Sequence, residues 1–306
     1  MNTVAVLMST YNGELFLKEQ IDSILRQQDV NIYLFIRDDG SCDGTIRILD
    51  EYAKKHTNIT VYKGENVGVG NSFMKAVKAA GNKADYYALA DQDDIWLPEK
   101  LIKAIDILKE KTGPCCYCSN QTLVDTQGKI LRERHTEPID TGYKQILCNN
   151  KVTGCTMVWN NELQKTLANE SFFPSTGLLK KRIHDVWVAI VASVIGDIYY
   201  DPHSFILYRQ HEKNVVGVRK ESIFKLWRQK LNDPALRNGR SMLADEIVQK
   251  LDGKIKDQTI HDWLVCCANY HKSLKGIWKL IKNQEIRRYS GEDAFTYTVK
   301  VLLGLL

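Results

Sequence analysis

Strands and helices alternate over the first ninety residues of the chain, and this alternation constrains the fold more than any other feature. Four short apolar segments predict strands, at residues 4–8, 32–36, 59–62 and 86–89. The segments between them carry apolar residues at helical spacing, as in residues 17–28, 45–55 and 71–80. A strand and helix alternation of this kind produces parallel strands joined by right-handed crossovers. The predicted fold class is therefore α/β, a mostly parallel sheet flanked by helices.

Polar residues follow three of these predicted strands directly. They occupy residues 9–12, 38–40 and 91–94. In open α/β sheets the ligand binds beyond the carboxyl ends of the strands, where the loops converge. We therefore expect the three segments to line one crevice.

Residues 91–94 read Asp-Gln-Asp-Asp, which places three carboxylates within four residues. Two carboxylates about 4 Å apart repel by about 4 kcal/mol at an effective dielectric near 20, so the cluster favours a cation or a proton. Oxygen ligands suit Mg²⁺ or Mn²⁺ rather than zinc. An EF-hand is excluded because its glycine and its twelfth-position glutamate are missing. The alternative is an acidic turn at the start of the helix that follows.

Two further glycine-containing segments lie near the predicted strand ends. Residues 37–45 place Asp38 and Asp39 after the second strand, where a carboxylate can accept a hydrogen bond from a pyrimidine ring N–H. The alternative is a turn selected for its backbone angles. Residues 66–71 resemble a dinucleotide-binding loop but have Phe73 where the third glycine belongs, and a P-loop sequence is absent.

Taken together, these segments resemble glycosyltransferase family 2, the inverting enzymes of GT-A fold. The matching stretches are residues 8–13, 38–45, 66–68 and 91–96, and the resemblance extends from about residue 4 to residue 217. It implies a nucleotide-sugar donor and an Mg²⁺ or Mn²⁺ ion. It implies donor-binding roles for Thr10, Tyr11, Asp39, Asn66, Asp91 and Arg209, and metal ligation by Asp91, Asp93 and His211.

Asp185 stands where this family places its catalytic carboxylate. It opens an apolar helix predicted over residues 185–194. An inverting transfer needs a base that takes the proton from the acceptor hydroxyl. The alternative is an N-cap for the same helix. His184 replaces the glutamate of many relatives, and it either tunes the base or fills space.

Three motifs are similar to those of bacterial rhamnosyltransferases: residues 90–96, 184–187 and 208–214. This resemblance implies transfer of L-rhamnose from dTDP-L-rhamnose to a glycan or lipid-linked acceptor, in the synthesis of cell-wall or capsular polysaccharide. Three alternatives stay open at this point. They are a UDP-hexose-dependent transferase of the same fold, a nucleotidyltransferase, and a non-catalytic nucleotide-sugar-binding scaffold at the membrane.

The end of the chain differs in charge from the rest. Residues 213–306 contain 18 Lys and Arg against 10 Asp and Glu, whereas residues 1–212 contain 24 against 27. The slightly acidic main part argues against nucleic-acid binding. We expect two domains, residues 1–217 for the transferase and residues 218–306 for a basic helical extension.

The extension has two interpretations, and both concern the location of the protein. Basic segments with Trp and Leu, at residues 219–230 and 272–288, either lie on an anionic membrane surface or pack on the first domain. The chain lacks the 18 consecutive apolar residues of a membrane span, and its eight cysteines fit reduced thiols. We expect a cytoplasmic protein, peripheral on the inner face of the plasma membrane under the first interpretation.

Overall fold

The computed structural model of the chain describes residues 1–181, 183–211 and 238–305. Its strands are β1 (Asn2–Thr10), β2 (Val30–Asp38), β3 (Ile59–Lys63), β4 (Tyr86–Ala90), β5 (Ile95–Trp96), β6 (Cys115–Val124), β7 (Ile130–Glu133), β8 (Val158–Asn160) and β9 (Asp197–Arg209). Its helices up to residue 195 are α1 (Leu17–Leu25), α2 (Thr45–Lys55), α3 (Val69–Ala80), α4 (Lys100–Leu108), α5 (Tyr143–Asn149), α6 (Asn161–Leu167), α7 (Thr176–Lys181) and α8 (His184–Ile195). The C-terminal helices are α9 (Gly239–Leu251), α10 (Gln258–Asn269), α11 (Leu274–Lys282), α12 (Gln284–Ser290) and α13 (Ala294–Leu302).

The strands form one sheet in the order β3-β2-β1-β4-β8-β6-β9-β5, with β7 paired to β6. The pairs β1/β2, β1/β4, β2/β3 and β6/β9 are parallel. Strand β8 runs antiparallel to both of its neighbours, and β5 and β7 also pair antiparallel. The mostly parallel α/β sheet flanked by helices is therefore confirmed, as are the four strands expected in the first ninety residues.

The sequence of residues 153–159 also predicts a strand, and this prediction is largely wrong. A 3₁₀ turn occupies Gly154–Thr156, where the N–H of Thr156 donates to the carbonyl of Thr153 at 3.0 Å. The β-branched and aromatic residues of this segment favour a strand, but a short turn interrupts the extended chain and leaves β8 with three residues. The short elements β5, β7, α5, α6 and α7 were not anticipated from the sequence.

The C-terminal helices pack on the sheet domain through a shared apolar core. Leu243, Leu264 and Tyr297 belong to the same buried cluster as Ile146 and Trp187. The packing interpretation of the extension is thus satisfied for residues 238–305. The expected domain boundary at residues 217 and 218 and the basic segment at residues 219–230 lie outside the described residues.

Helix α8 is buried along its whole length against the sheet and helices α3, α5 and α6. This explains why its sequence is apolar on every side instead of amphipathic. Among the helices of the described ranges, none has both the length and the hydropathy that crossing a bilayer requires.

Candidate active site

The register of three parallel strands brings the predicted polar segments together. Thr10 at the end of β1 pairs with Asp38 at the end of β2, and Met8 pairs with Ala90 at the end of β4. The residues that follow these strands therefore open at one edge of the sheet, into a cavity of about 820 Å³. Seven of the predicted residues line this cavity: Tyr11, Asn66, Asp39, Asp91, Asp93, Asp185 and His211. One crevice thus contains the three segments, as expected.

Thr10 lies beneath the cavity and does not contribute to its lining. Its side chain is fully buried, and its hydroxyl donates to Asp38 Oδ2 at 2.9 Å. Asp38 in turn accepts the backbone N–H of Ser41 at 2.9 Å. The resemblance places Thr10 beside the nucleobase, but in the structure it supports the turn after β2, because its buried hydroxyl is bonded to Asp38.

Tyr11 lines the cavity and is held by a residue that sequence reasoning missed. Its backbone N–H donates to Gln92 Oε1 at 2.9 Å, and Gln92 Nε2 donates to the Tyr11 carbonyl at 3.1 Å. The amide of Gln92 therefore ties the loop after β1 to the acidic loop after β4. In the sequence, the one indication of a role for Gln92 is its position within the acidic motif at residues 91–94.

Asp39 has a nearly buried carboxylate, 2% exposed, that joins two loops. It pairs with the guanidinium of Arg37 and accepts the backbone N–H groups of Val67 and Gly68, each at 2.9 Å. Gly68 has φ +84°, a conformation that L side chains rarely adopt. Asn66, beside it, reaches the cavity and accepts the Gly68 N–H at 3.2 Å. The carboxylate edge of Asp39 is thereby held at the cavity wall.

The acidic loop forms a dense cluster of negative charge at the cavity floor. Burial raises the pKa of Asp91 to about 7, and the charges of Asp93 and Asp185 add to the effect. Burial also raises the pKa of Asp94, together with the charges of Asp93 and Asp91. A bound cation would favour the charged forms of these carboxyls and so would lower their pKa values.

The donor set of this cluster fits a hard divalent cation. Ligand atoms of Asp91, Asp94 and Cys155 lie within 4.8 Å of one another, and Asp94 Oδ2 is buried without a hydrogen bond from the described residues. Burial raises the pKa of the Cys155 thiol well above its usual range, so it stays protonated and is a poor ligand. The oxygen donors that remain suit Mg²⁺ or Mn²⁺. Sequence reasoning counted Asp94 among the three carboxylates of the acidic loop, named only Asp91, Asp93 and His211 as metal ligands, and did not consider Cys155.

His211 and Asp93 are in direct contact, as two ligands of one ion or a hydrogen-bonded pair would be. His211 Nε2 lies 2.7 Å from Asp93 Oδ2, and the imidazole stacks on Phe16 with ring centroids 5.5 Å apart. Both line the cavity. The pair therefore offers two donor atoms at the mouth of the acidic cluster.

Arg209 does not line the cavity, although the resemblance places it on the diphosphate side. It is 2% exposed, and its Nε donates to the Asp93 carbonyl at 3.0 Å while its Nη1 donates to the Thr126 carbonyl at 2.8 Å. Its Nη2 forms an ion pair with Glu19 at 2.5 Å. Arg209 thus holds the acidic loop from below, because its guanidinium is engaged by the backbone of that loop.

Lys100 is another buried cation beneath the loop, and sequence reasoning missed it. Its Nζ lies 3.8 Å from the centroid of the Trp96 ring, and burial lowers its pKa to about 8. The neighbouring carboxylate of Asp94 opposes this shift. The position of Lys100 four residues after Trp96 does not by itself predict that its side chain is buried.

Asp185 reaches the cavity from the first turn of α8. It is 9% exposed, and its Oδ1 accepts the N–H of Val186 at 2.7 Å. The helix is preceded by Ile183, which makes no side-chain cap, so the expected alternative of an N-cap at Asp185 is not what the structure shows. Asp185 therefore presents a carboxylate to the cavity from within the first turn, while its Oδ1 accepts one of the free N–H groups of that turn.

His184 lies beside Asp185 in the cavity wall as a neutral side chain. Its ring stacks on Phe73 with centroids 3.8 Å apart, and burial lowers its pKa to about 3. A Cβ on Gly154 would lie 3.3 Å from His184 Nε2 and 3.2 Å from the Cβ of Asp185. The tight contact with Gly154 fixes this turn of the helix. His184 thus fills space and carries no charge that could tune a base.

Comparisons with known proteins agree with this arrangement. The family model described as Glycosyl transferase family 2 matches residues 5–161. The chain is 32% identical over 216 residues to the dTDP-rhamnosyl transferase RfbG of Shigella flexneri, covering 69% of this chain and 73% of that protein. It is 31% identical over 157 residues to the putative teichuronic acid biosynthesis glycosyltransferase TuaG of Bacillus subtilis, covering 51% and 60% respectively.

Solved structures show the same fold at low sequence identity. TarS of S. aureus, residues 1–349 in complex with UDP, superposes with a TM-score of 0.57 at 15% identity, covering 98% of this chain and 90% of that one. The mannosyltransferase PcManGT of Pyrobaculum calidifontis, in complex with GDP-Man and Mn²⁺, gives 0.50 at 15% identity, covering 99% and 86%. The fold is GT-A. From its family match and its site, the chain belongs to glycosyltransferase family 2.

Proposed function

We propose that the protein is an inverting rhamnosyltransferase that moves L-rhamnose from dTDP-L-rhamnose to a glycan or lipid-linked acceptor of bacterial cell-wall or capsular polysaccharide. One observation carries the proposal: Asp39, Asp93 and Asp185 open onto a single cavity of about 820 Å³. That volume lies in the range of cavities that hold cofactor-sized ligands. A nucleotide sugar placed there meets the pyrimidine contact, the acidic cluster and the base expected of the family.

The choice of rhamnose is supported by RfbG, whose name states a dTDP-rhamnosyl donor. TarS was solved with UDP and with UDP-GlcNAc, which favours the second candidate, a UDP-hexose-dependent transferase of the same fold. Both candidates use the same cavity and the same catalytic base, Asp185. They differ in the nucleobase and the sugar of the donor that the cavity accepts.

In the proposed mechanism, Asp185 takes the proton of the acceptor hydroxyl as its oxygen attacks the anomeric carbon. The bond from that carbon to the diphosphate oxygen breaks on the opposite face, so the configuration inverts and a nucleoside diphosphate leaves. A divalent cation held by Asp91 and Asp93, with His211, would stabilise the negative charge of the departing diphosphate. A nucleotidyltransferase would instead release pyrophosphate, and a scaffold would release neither product.

Residues in and beneath the cavity wall hold these groups in place. Arg209 ties the backbone of Asp93 to Glu19 and to the Thr126 carbonyl. His184 and Gly154 pack against the Asp185 turn. Positioning of this kind supplies much of an enzyme's rate advantage, because the reacting groups need no rearrangement.

A donor panel tests the proposed donor. With Mn²⁺ present, dTDP-L-rhamnose is expected to raise the melting temperature of the protein more than UDP-glucose, UDP-galactose or GDP-mannose, since selective binding stabilises the folded state by mass action. Thermal-shift measurements with and without Mn²⁺ check this. The Asp93→Asn variant is expected to lose the part of the stabilisation that depends on Mn²⁺. Larger stabilisation by a UDP-hexose would replace rhamnose with the second candidate.

We also propose that the protein acts in the cytoplasm as a peripheral protein on the inner face of the plasma membrane. Five apolar side chains of the C-terminal helices point away from the core: Leu274, Trp278, Phe295, Leu302 and Leu303, exposed by 77%, 59%, 77%, 58% and 44%. Exposed lysines at positions 272, 275, 279 and 282 flank Leu274 and Trp278 along the chain. Apolar and basic residues together bind anionic bilayers, at about 1 kcal/mol per Lys or Arg near the surface.

Vesicle flotation tests the membrane proposal. Leu274→Ser combined with Trp278→Ser is expected to reduce recovery with phosphatidylglycerol vesicles by about tenfold, because two large side chains no longer enter the interface. The matched control is Ile130→Ser with Leu131→Ser, which removes two large apolar side chains from β7 that are exposed by 65% and 54%. Equal recovery of both double variants and the wild type would contradict the proposal.

A further inference from the structure

A second cavity of about 340 Å³ adjoins the first one. The two cavities share Thr153, Ile183 and Asp185 in their walls. The remaining wall of the second cavity is built partly by the loop at residues 148–153 and partly by the C-terminal helices, through Arg240 and Lys300. Asp185 therefore separates a donor-sized cavity from a smaller one that only the packed extension completes.

The second cavity is strongly cationic. Among the described residues that line it, four carry positive charge, and we call them the cation cluster: Arg134, Lys151, Arg240 and Lys300. Two carry negative charge, Asp185 and Glu292. The formal surplus is thus two positive charges in a space that admits a ligand of modest size.

Internal pairing offsets part of this charge. Glu292 Oε1 lies 2.5 Å from Lys300 Nζ and 3.7 Å from the Arg240 guanidinium, so a single carboxylate faces two cations. Arg134 donates to the Gln121 side-chain carbonyl at 3.2 Å and lies 5.7 Å from the Tyr208 ring, both of which are neutral contacts. Like charges this close repel, and a bound anion would relieve the repulsion.

The pKa of His135 is affected by two members of the cation cluster. Burial lowers its pKa, and the charges of Arg134 and Lys151 lower it further. Arg134 and Lys151 thus both lie close enough to His135 to act on it, at this edge of the cavity.

We propose that the second cavity is the acceptor site and that it takes an acceptor carrying a phosphate group. The phosphate contacts the cation cluster, and a sugar hydroxyl of the same acceptor faces Asp185. Two surplus charges match a phosphate dianion better than a single carboxylate, and guanidinium groups bind phosphate oxygens in pairs. The inference rests on the proposed glycosyl transfer, because it takes Asp185 as the base. The phosphate belongs either to a lipid-linked sugar or to a soluble one.

Binding of glucose 1-phosphate to the full chain, saturated with dTDP and Mg²⁺, tests the proposal by calorimetry. Saturation fills the donor cavity, so binding of the probe reports on the second one. Glucose 1-phosphate is expected to bind at least tenfold more tightly than glucose. Lys151→Gln and Arg240→Gln are each expected to weaken that binding roughly 5- to 10-fold, as loss of a charge-assisted contact does. Arg47→Gln, an exposed residue paired with Glu51, serves as the matched control and is expected to have no effect.

Affinity for glucose 1-phosphate that equals the affinity for glucose, or that neither variant changes, would overturn the proposal. Lys151 is exposed, so its variant decides the result even if Arg240→Gln destabilises the fold by leaving Glu292 short of a partner. Binding of dTDP or UDP is measured first. Failure of both nucleotides to bind would refute the proposed function, whereas nucleotide binding without phosphate binding refutes the acceptor site alone.

A second arm identifies the source of the phosphate. Vesicles that contain an isoprenyl phosphate are compared with phosphatidylglycerol vesicles in flotation, using the wild type and Lys151→Gln. Preference for the isoprenyl phosphate that Lys151→Gln removes assigns the acceptor to a lipid. Binding of glucose 1-phosphate together with equal recovery on both vesicles assigns it to a soluble sugar phosphate.

Discussion

Asp185→Asn is expected to lower the rate of sugar transfer by about 10²- to 10⁴-fold, the contribution typical of a positioned general base. The amide retains an oxygen that can accept the Val186 N–H, so the helix start is preserved. It cannot take a proton from the acceptor. Release of nucleoside diphosphate under saturating donor and acceptor measures the rate, and calorimetry with the nucleotide checks that the donor cavity is intact.

The matched control for this experiment is Asp197→Asn. Asp197 lies just beyond the other end of α8, is exposed and pairs with Lys256 at 2.8 Å. Its variant is expected to transfer sugar at the wild-type rate. Near-normal turnover by Asp185→Asn would show that another residue is the base. The acceptor hydroxyl would then have no reason to face Asp185 from the second cavity.

Asp39→Ala is expected to lower the free energy of unfolding by about 3–5 kcal/mol, because it leaves the buried Arg37 guanidinium without its anionic partner. Arg37 is 6% exposed and Asp39 is 2% exposed, so water does not replace the lost contact. The N–H groups of Val67 and Gly68 also lose their acceptor. Urea denaturation followed by circular dichroism measures the change.

Two companion variants interpret that loss of stability. Glu51→Ala removes the exposed ion pair with Arg47 and is expected to cost less than about 1 kcal/mol. Arg37→Met combined with Asp39→Ala removes both buried charges and is expected to recover much of the stability. If Asp39→Ala proves as stable as Glu51→Ala, the ion pair does not organise the turn after β2.

The pattern of the first ninety residues was sufficient to predict the sheet and its polar edge. Strands β1 to β4 occur where apolar runs end in polar residues, and α2 has the predicted bounds. These elements are predictable because local periodicity and a burial requirement agree there. At residues 153–159 the local pattern and the packing requirement disagree. The residue types favour a strand, but Gly154 packs against Asp185 in a turn.

The roles within each motif were less predictable than the motifs themselves. Thr10 and Arg209 both belong to matched segments, yet both are buried and hold loops from below. Gln92, Asp94 and Cys155 have structural or electrostatic roles that their positions in the sequence did not indicate. Adjacent residues of a loop point in different directions, and the choice depends on contacts with distant segments.

The amino-acid sequence by itself determined the α/β class, the family resemblance and the edge of the sheet where acidic residues gather, because each depends on spacing along the chain. Tertiary structure decided which side chains face the cavity, that His184 is neutral, and that Arg240 and Lys300 close a second cavity beside Asp185. These properties depend on burial and on charge between residues that are far apart in sequence. The interactions that produce them become strong only when the folded chain excludes water and brings the charged groups together.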